Sequence, residues 1–360
     1  MLISTHLAEI PSVKSLVKLW AERYTPDVSL LSQNQDPLVY RALVQAASQE
    51  GRIVTAAKLH EQVVETHCQF AAIQARNLHE YIPAVMDLSE AKRLTQATFH
   101  IYRELLKLYQ QQSQITPPIM DKLWAVSGAT GSLSAWSIPD IEDLSIAIEP
   151  ALLELQERYA TAKDWCTLGF LTTQLKFSNR LLLDKLDPVE QVLIGPYFKF
   201  VEEQVALPWQ RVCAAAAKHD LDSPAFILVQ QMLPAASDIA TTVYNRLVEI
   251  FTNHRSRQGG LDNPGIAHSC LRDLNMFQAY LWLCVLAEDL APVEKELIGL
   301  CIMVMERVGV KWELTAKWNQ LLMDEIVSRV NPEHKSLLMP YVHGMQQAFY
   351  VKRTRLGADS

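Results

Sequence analysis

No apolar run in this chain reaches the ~20 residues that a bilayer-spanning helix needs, so no transmembrane segment is expected. No stretch alternates apolar and polar residues between turn signals, which argues against strands. No C-x-x-C pair occurs among the cysteines Cys68, Cys166, Cys213, Cys270, Cys284 and Cys301, and all six fall in apolar helical stretches. That pattern fits reduced, buried thiols rather than a disulfide framework, and so a cytoplasmic setting. The N-terminus carries no basic leader before an apolar core, which agrees with that placement.

Basic stripes are missing too. The net charge is −7, from 33 Lys and Arg against 40 Asp and Glu, and it is spread along the chain. A nucleic-acid partner would need clustered cations to displace counterions, so none is expected. H-E-x-x-H, G-x-S-x-G, Walker-type and G-x-G-x-x-G motifs are all absent. Enzyme classes that announce themselves locally are therefore not indicated, and the reading leans away from an enzyme.

What the chain does have is one repeated helix start: a capping residue followed by proline. It occurs at Asp36-Pro37, Thr116-Pro117, Asp187-Pro188, Ser223-Pro224, Asn263-Pro264 and Asn331-Pro332. The polar side chain can satisfy a free backbone N–H, and proline at the first helical position lacks only an N–H that had no partner. At Asp187 the acid three residues on, Glu190, can complete a variant of the capping box. The expected fold is all-α, an irregular bundle of about 10–12 helices, several of them kinked by interior prolines at 196, 208 and 234.

The centre of the expected core is an apolar hairpin within residues 275–310. Met276–Ala287 and Leu297–Met305 are almost unbroken hydrophobic runs, and a helix apolar all round is one surrounded by other helices. Toward the N-terminus, a helix over 37–49 is expected to end at Gly51. A long one over about 53–81 would turn His60, Val63, Val64, His67 and Phe70 toward the core, with a neighbour over 89–112. Residues 127–150 are rich in Gly and Ser with an acidic cluster, which reads as a boundary. The expected organisation is an N-terminal helical domain over 1–130, a linker or functional loop over 131–148, and a C-terminal helical domain over 149–360. Similar helix starts near 187, 291 and 331 recur at unequal offsets, which excludes a regular solenoid. Gly195 and Gly299 follow two of these starts and are expected to admit a close backbone neighbour.

Three groups of residues are candidates for function. His60 and His67 flank the densest set of ionisable side chains on a helix; two turns separate them, too far to share one metal ion, so no metal site is expected. His254, Arg255 and Arg257 lie in a glycine-containing loop before a helix start, with His268 one turn into that helix, the ingredients of an anion site. Trp136, Trp209, Arg211, Trp312 and Trp318 pair aromatic and cationic groups as protein interfaces do, although a helical core uses the same pairing.

No catalytic residue is singled out, and the cofactor is left unknown. The leading functional expectation is a helical protein acting through a protein partner, in a regulatory, adaptor or assembly role, with a homodimer also compatible. The alternative is a cofactor-binding protein or enzyme that holds a flat apolar ligand such as a tetrapyrrole between helices near His60 and His67.

Overall fold

The structure is a computed structural model that describes residues 9–24, 37–78, 88–111, 165–256, 259–302, 309–310 and 312–358, with a few single positions besides. Residues 131–147 of the expected linker, Trp136, Arg257 and the Thr116-Pro117 start lie outside the described residues. The fold is all-α. In chain order the helices are α1 (Pro11–Ala21), α2 (Pro37–Ala47), α3 (Gln49–Lys58), α4 (Glu61–Leu78), α5 (Leu88–Gln111), α6 (Trp165–Leu183) and α7 (Pro188–Ala206). They continue as α8 (Trp209–Ala216), α9 (Pro224–Met232), α10 (Ala236–Ile250), α11 (Pro264–Ala287), α12 (Trp312–Arg329) and α13 (Pro332–Ala358). A π-helical turn, Pro292–Leu297, follows α11. The strand expectation needs one correction: β1 (Arg255–Ser256) and β2 (Gly259–Gly260) form a two-residue antiparallel ribbon, too short for periodicity to reveal.

The proline grammar acts as the sequence implies. Helices begin at Pro37, Pro188, Pro224, Pro264 and Pro332. Asn263 caps α11, its side chain accepting from Gly265 N–H at 2.9 Å. At α7 the reciprocal half of the capping box is present: Glu190 Oε2 accepts from the Asp187 N–H at 2.8 Å. Interior prolines behave in two ways. Pro196 stays inside α7, whereas Pro208 separates α7 from α8, and Pro234 forces a 3-10 turn, Leu233–Ala235, between α9 and α10.

The chain divides into two compact units, and neither is a single stretch of sequence. The first holds residues 21–163 and 170–205, the second residues 3–20, 164–169 and 206–360. Within the first, a polar network threads a helical core: Tyr102 donates to Asn179 Oδ1 at 2.5 Å, and Asn179 Nδ2 donates to Glu202 at 3.2 Å. Arg23 and Tyr24 both meet Glu203, at 2.9 and 2.7 Å. Within the second, Trp20 packs on Trp209 with ring centroids 3.7 Å apart, and the Ser12 hydroxyl donates to Ala216 O at 2.9 Å. A run of rings, Trp318 to Phe277 to Phe349 to Trp312, ties α12, α11 and α13 together. The apolar hairpin is as expected on its first arm: every residue from Asn275 to Leu286 is buried.

Two N-terminal expectations are overturned. The long helix over 53–81 is broken at Leu59–His60, so α3 and α4 are separate. The core face of α4 is Val64, Cys68, Ala71 and Ala75, while His60 and Phe70 are exposed. Gly51 does not end a helix; it sits in the first turn of α3, where its N–H donates to the Ser48 side chain at 3.0 Å. A Cβ there would fall onto the Gln45 carbonyl oxygen and 2.7 Å from Ala46 Cα. Gly51 therefore permits the tight joint between α2 and α3. Gly195, by contrast, has nothing within 4 Å of where a Cβ would stand, so it admits no close neighbour. Gly51→Ala is expected to cost about 1–3 kcal/mol, the range for overpacking against backbone that must shift. A urea melt should show a lowered midpoint, and Gly195→Ala should leave that midpoint unchanged or raised.

Candidate functional site

The first half of α11 is where this otherwise buried helix reaches the surface. Pro264, Gly265 and His268 are exposed, Cys270 is 7% exposed, and every residue from Leu274 to Leu286 is buried. Arg272 and Asp273 sit at this transition with side chains 15% exposed each. They are the only Asp, Glu, Lys or Arg in the 24 residues of α11. Arg272 donates to Asp273 Oδ1 twice, from Nε at 2.9 Å and from Nη2 at 2.6 Å. Both bonds fall on one oxygen, which leaves Oδ2 as an acceptor without a donor among the described residues. The site thus offers a thiol, a guanidinium and a half-satisfied carboxylate within one turn of helix.

Neighbouring elements close around these groups. On α10, the Tyr244 hydroxyl donates to Leu261 O at 2.6 Å and so holds the segment that enters α11. Burial raises the Tyr244 pKa, and Cys270 and Asp262 add to the shift. Gly259, at φ +128, lies against Asn263 and Ile266, which folds the β ribbon back onto the start of the helix; a side chain in that conformation would be strained.

The cysteines are not equivalent. Burial pushes the thiols of Cys68, Cys213 and Cys284 up to about 12, and Cys301 is held well above the usual thiol range by burial and then by Asp273. These thiols are protonated and shielded, hence poor nucleophiles. Cys270 is the most exposed of the described free cysteines: Cys301 is 2% exposed, and Cys68, Cys213 and Cys284 are 0%. The side chain of Cys166 lies outside the described residues.

The residues singled out from sequence are spread over both units. His60 is exposed at the start of α4, where its carbonyl accepts from Val63 and Val64 N–H. His67 is half-buried, with Nδ1 2.7 Å from Val63 O. His254 is half-buried and Arg255 exposed at the ribbon, and His268 is exposed on α11. Trp209 and Trp318 are 1% and 4% exposed, which places them in the core reading rather than on a surface. Trp312 is half-buried, stacked on Phe349 with its Nε1 donating to Phe349 O at 3.2 Å. Arg211 is largely exposed and paired with Glu296. Sequence reasoning missed Cys270, Arg272 and Asp273, because Cys270 was grouped with the inert thiols. The available signal was an adjacent Arg–Asp pair carrying all the formal charge of an apolar helix.

Comparison with known proteins bears on this region. Residues 224–349, about a third of the chain, match the model of a family described as Phycobilisome protein, whose domain is all-helical. No curated protein matches, and no solved structure matches. The matched segment runs from α9 to near the end of α13 and contains Cys270, Arg272 and Asp273; His60, His67, Trp209 and Arg211 lie outside it. Among the described residues, no group of His, Cys, Asp or Glu could hold a metal ion, and no helix is long and apolar enough to cross a membrane.

Alkaline titration gives a test of the buried thiols. Their folded pKa lies above the unfolded value, so their contribution to stability is complete below the ordinary thiol value of 9.0 and is lost as pH rises toward about 12. The melting temperature should fall through that window. With an aromatic disulfide reagent at pH 8, Cys270 should be the first of the described cysteines to react. Equal rates for Cys270 and Cys284 would contradict this ordering.

Proposed function

We propose that the segment from α9 to α13 is a tetrapyrrole-holding module, with a linear tetrapyrrole (bilin) seated over the first half of α11. The observation that carries this reading is the Arg272–Asp273 pair beside Cys270, inside the segment similar to the phycobilisome family. The donor set fits such a group. Propionate carboxylates call for a cation, and Arg272 supplies one. Pyrrole N–H groups call for an acceptor in a site shielded from water, and Asp273 Oδ2 is available. Cys270 supplies a sulfur able to anchor the ligand as a thioether. The apolar body of the ligand is suited by the buried continuation of the same helix. A bound bilin would supply absorption of visible light.

This reading keeps the flat apolar ligand expected from sequence and moves it from His60 and His67 to α11. The test is production of the full chain together with a bilin, followed by denaturation and intact-mass measurement. The wild type should retain a covalent increment, Cys270→Ser should lose it, and Cys284→Ser should keep it. Asp273→Asn should keep the increment and shift or weaken the visible absorption band. An increment that survives Cys270→Ser would end the proposal.

A second reading, association with a protein partner, is supported by a separate observation. Ile53 and Val54 on α3 and Phe70 and Ile73 on α4 are 48%, 56%, 55% and 55% exposed, large apolar side chains of the kind that protein partners cover. Phe70→Ser with Ile73→Ser should leave the thermal unfolding midpoint within about 2 °C, as surface changes do, and should reduce the mass of the native assembly. An unchanged assembly mass would remove this reading.

A further inference from the structure

Helix α4 of the first unit turns its two faces to different surroundings. Val64, Cys68, Ala71 and Ala75 are buried, while Glu61, Glu65, Phe70, Ile73 and Arg76 are exposed. The outer face is ordered along the helix: acids in the first two turns, apolar groups in the middle and a cation in the last turn. Among the described residues neither Glu61 nor Arg76 has an ion-pair partner, and Glu65 accepts a hydrogen bond only from Gln69 of its own helix, at 3.4 Å. Compensation of the helix dipole accounts for charges of these signs at the two ends. It does not account for Phe70 and Ile73 standing exposed between them.

We propose that this face pairs with the same face of a second copy of the chain, which rests on the second reading above and names the partner it leaves open. The two α4 helices run antiparallel about a two-fold axis that passes between Gln69 and Phe70. Phe70 then lies beside its own copy, and Ile73 stands level with Thr66 of the second copy. Arg76 stands level with Val63 of the second copy, between its Glu61 and Glu65, which are about one turn apart. At about 100° per residue, Glu61, Glu65 and Arg76 share one flank of the helix, and a two-fold axis of this kind brings like flank to like flank. The face is thus its own complement in apolarity and in charge, as an isologous interface requires. Parallel pairing would instead set each acid against its own copy. A single helix pair makes a small interface, so the dimer is weak and forms as concentration rises.

The test is native mass spectrometry of the full chain up to about 100 μM, which fills a site of micromolar Kd. The wild type should pass from 40.7 kDa to twice that mass. Arg76→Glu should weaken the dimer about tenfold by setting like charges together, and so should Glu61→Lys with Glu65→Lys. An equimolar mixture of these two variants should recover a mixed dimer, because each chain then meets the opposite charge; helix-dipole compensation within one chain cannot produce that recovery. Gln69→Cys should cross-link to its own copy under mild oxidation, and Gln62→Cys, about 22 Å from its copy along the helix, should not. All these positions are exposed, so each variant should keep the helical circular dichroism of the wild type. A chain that stays monomeric, or a mixture that recovers no dimer, would overturn the proposal. A stoichiometric partner of another mass, lost in Phe70→Ser with Ile73→Ser, would also overturn it and leave the second reading in place. A dimer that survives those two substitutions would remove both.

Discussion

Burial of α11 on every side from Asn275 to Leu286 is the constraint on which the second unit depends. A helix with no solvent face must be enclosed by others, and here those include α8, α9, α10, α12 and α13. Its few polar side chains look for partners within reach. Asn275 Nδ2 turns back to Leu271 O at 2.8 Å, and Gln278 Nε2 donates to Ala236 O at 3.0 Å. Charge cannot be carried at such depth without compensation, so the formal charge of this helix gathers where burial begins to relax. Arg272 and Asp273 stand at that point and compensate each other. The position of the candidate ligand site is thus a consequence of the burial gradient along one helix.

Prolines and turns arrange the elements around that helix. Pro208 and Pro234 interrupt what would be long straight helices, so that α8, α9 and α10 are separate short helices that each pack against α11. At its far end α11 stops at Glu288, whose φ of +53 gives the left-handed turn, and the chain re-enters helix through a π-helical turn. A small residue accommodates the return: Gly344 on α13 faces Leu290, whose side chain occupies the space a Cβ would need. In the first unit the same role falls to Gly51.

Much of this was legible in the chain itself. Capping residues followed by proline marked helix starts because capping and the missing N–H of proline are local physics, independent of what the helix later packs on. The apolar run over 276–287 announced a buried helix for an equally direct reason. The failures were of a different kind. His60 and Phe70 carry helical spacing consistent with a core face, yet the break at Leu59–His60 resets the helical phase and leaves both exposed. The tryptophans had two readings from sequence, and only packing separated buried Trp209 and Trp318 from half-buried Trp312.

The sequence by itself determined the helical class, most helix starts and the buried centre, since propensity, capping and apolar periodicity act over a few residues. Only the tertiary structure decided which cysteine keeps contact with the surface, where Arg272 and Asp273 pair, and that Arg52 comes to lie over the Tyr109 ring. Exposure and pairing depend on which distant residues arrive alongside. Cys270 and Cys284 both occur in apolar stretches of one helix, and they differ because the helices enclosing α11 cover one more completely than the other.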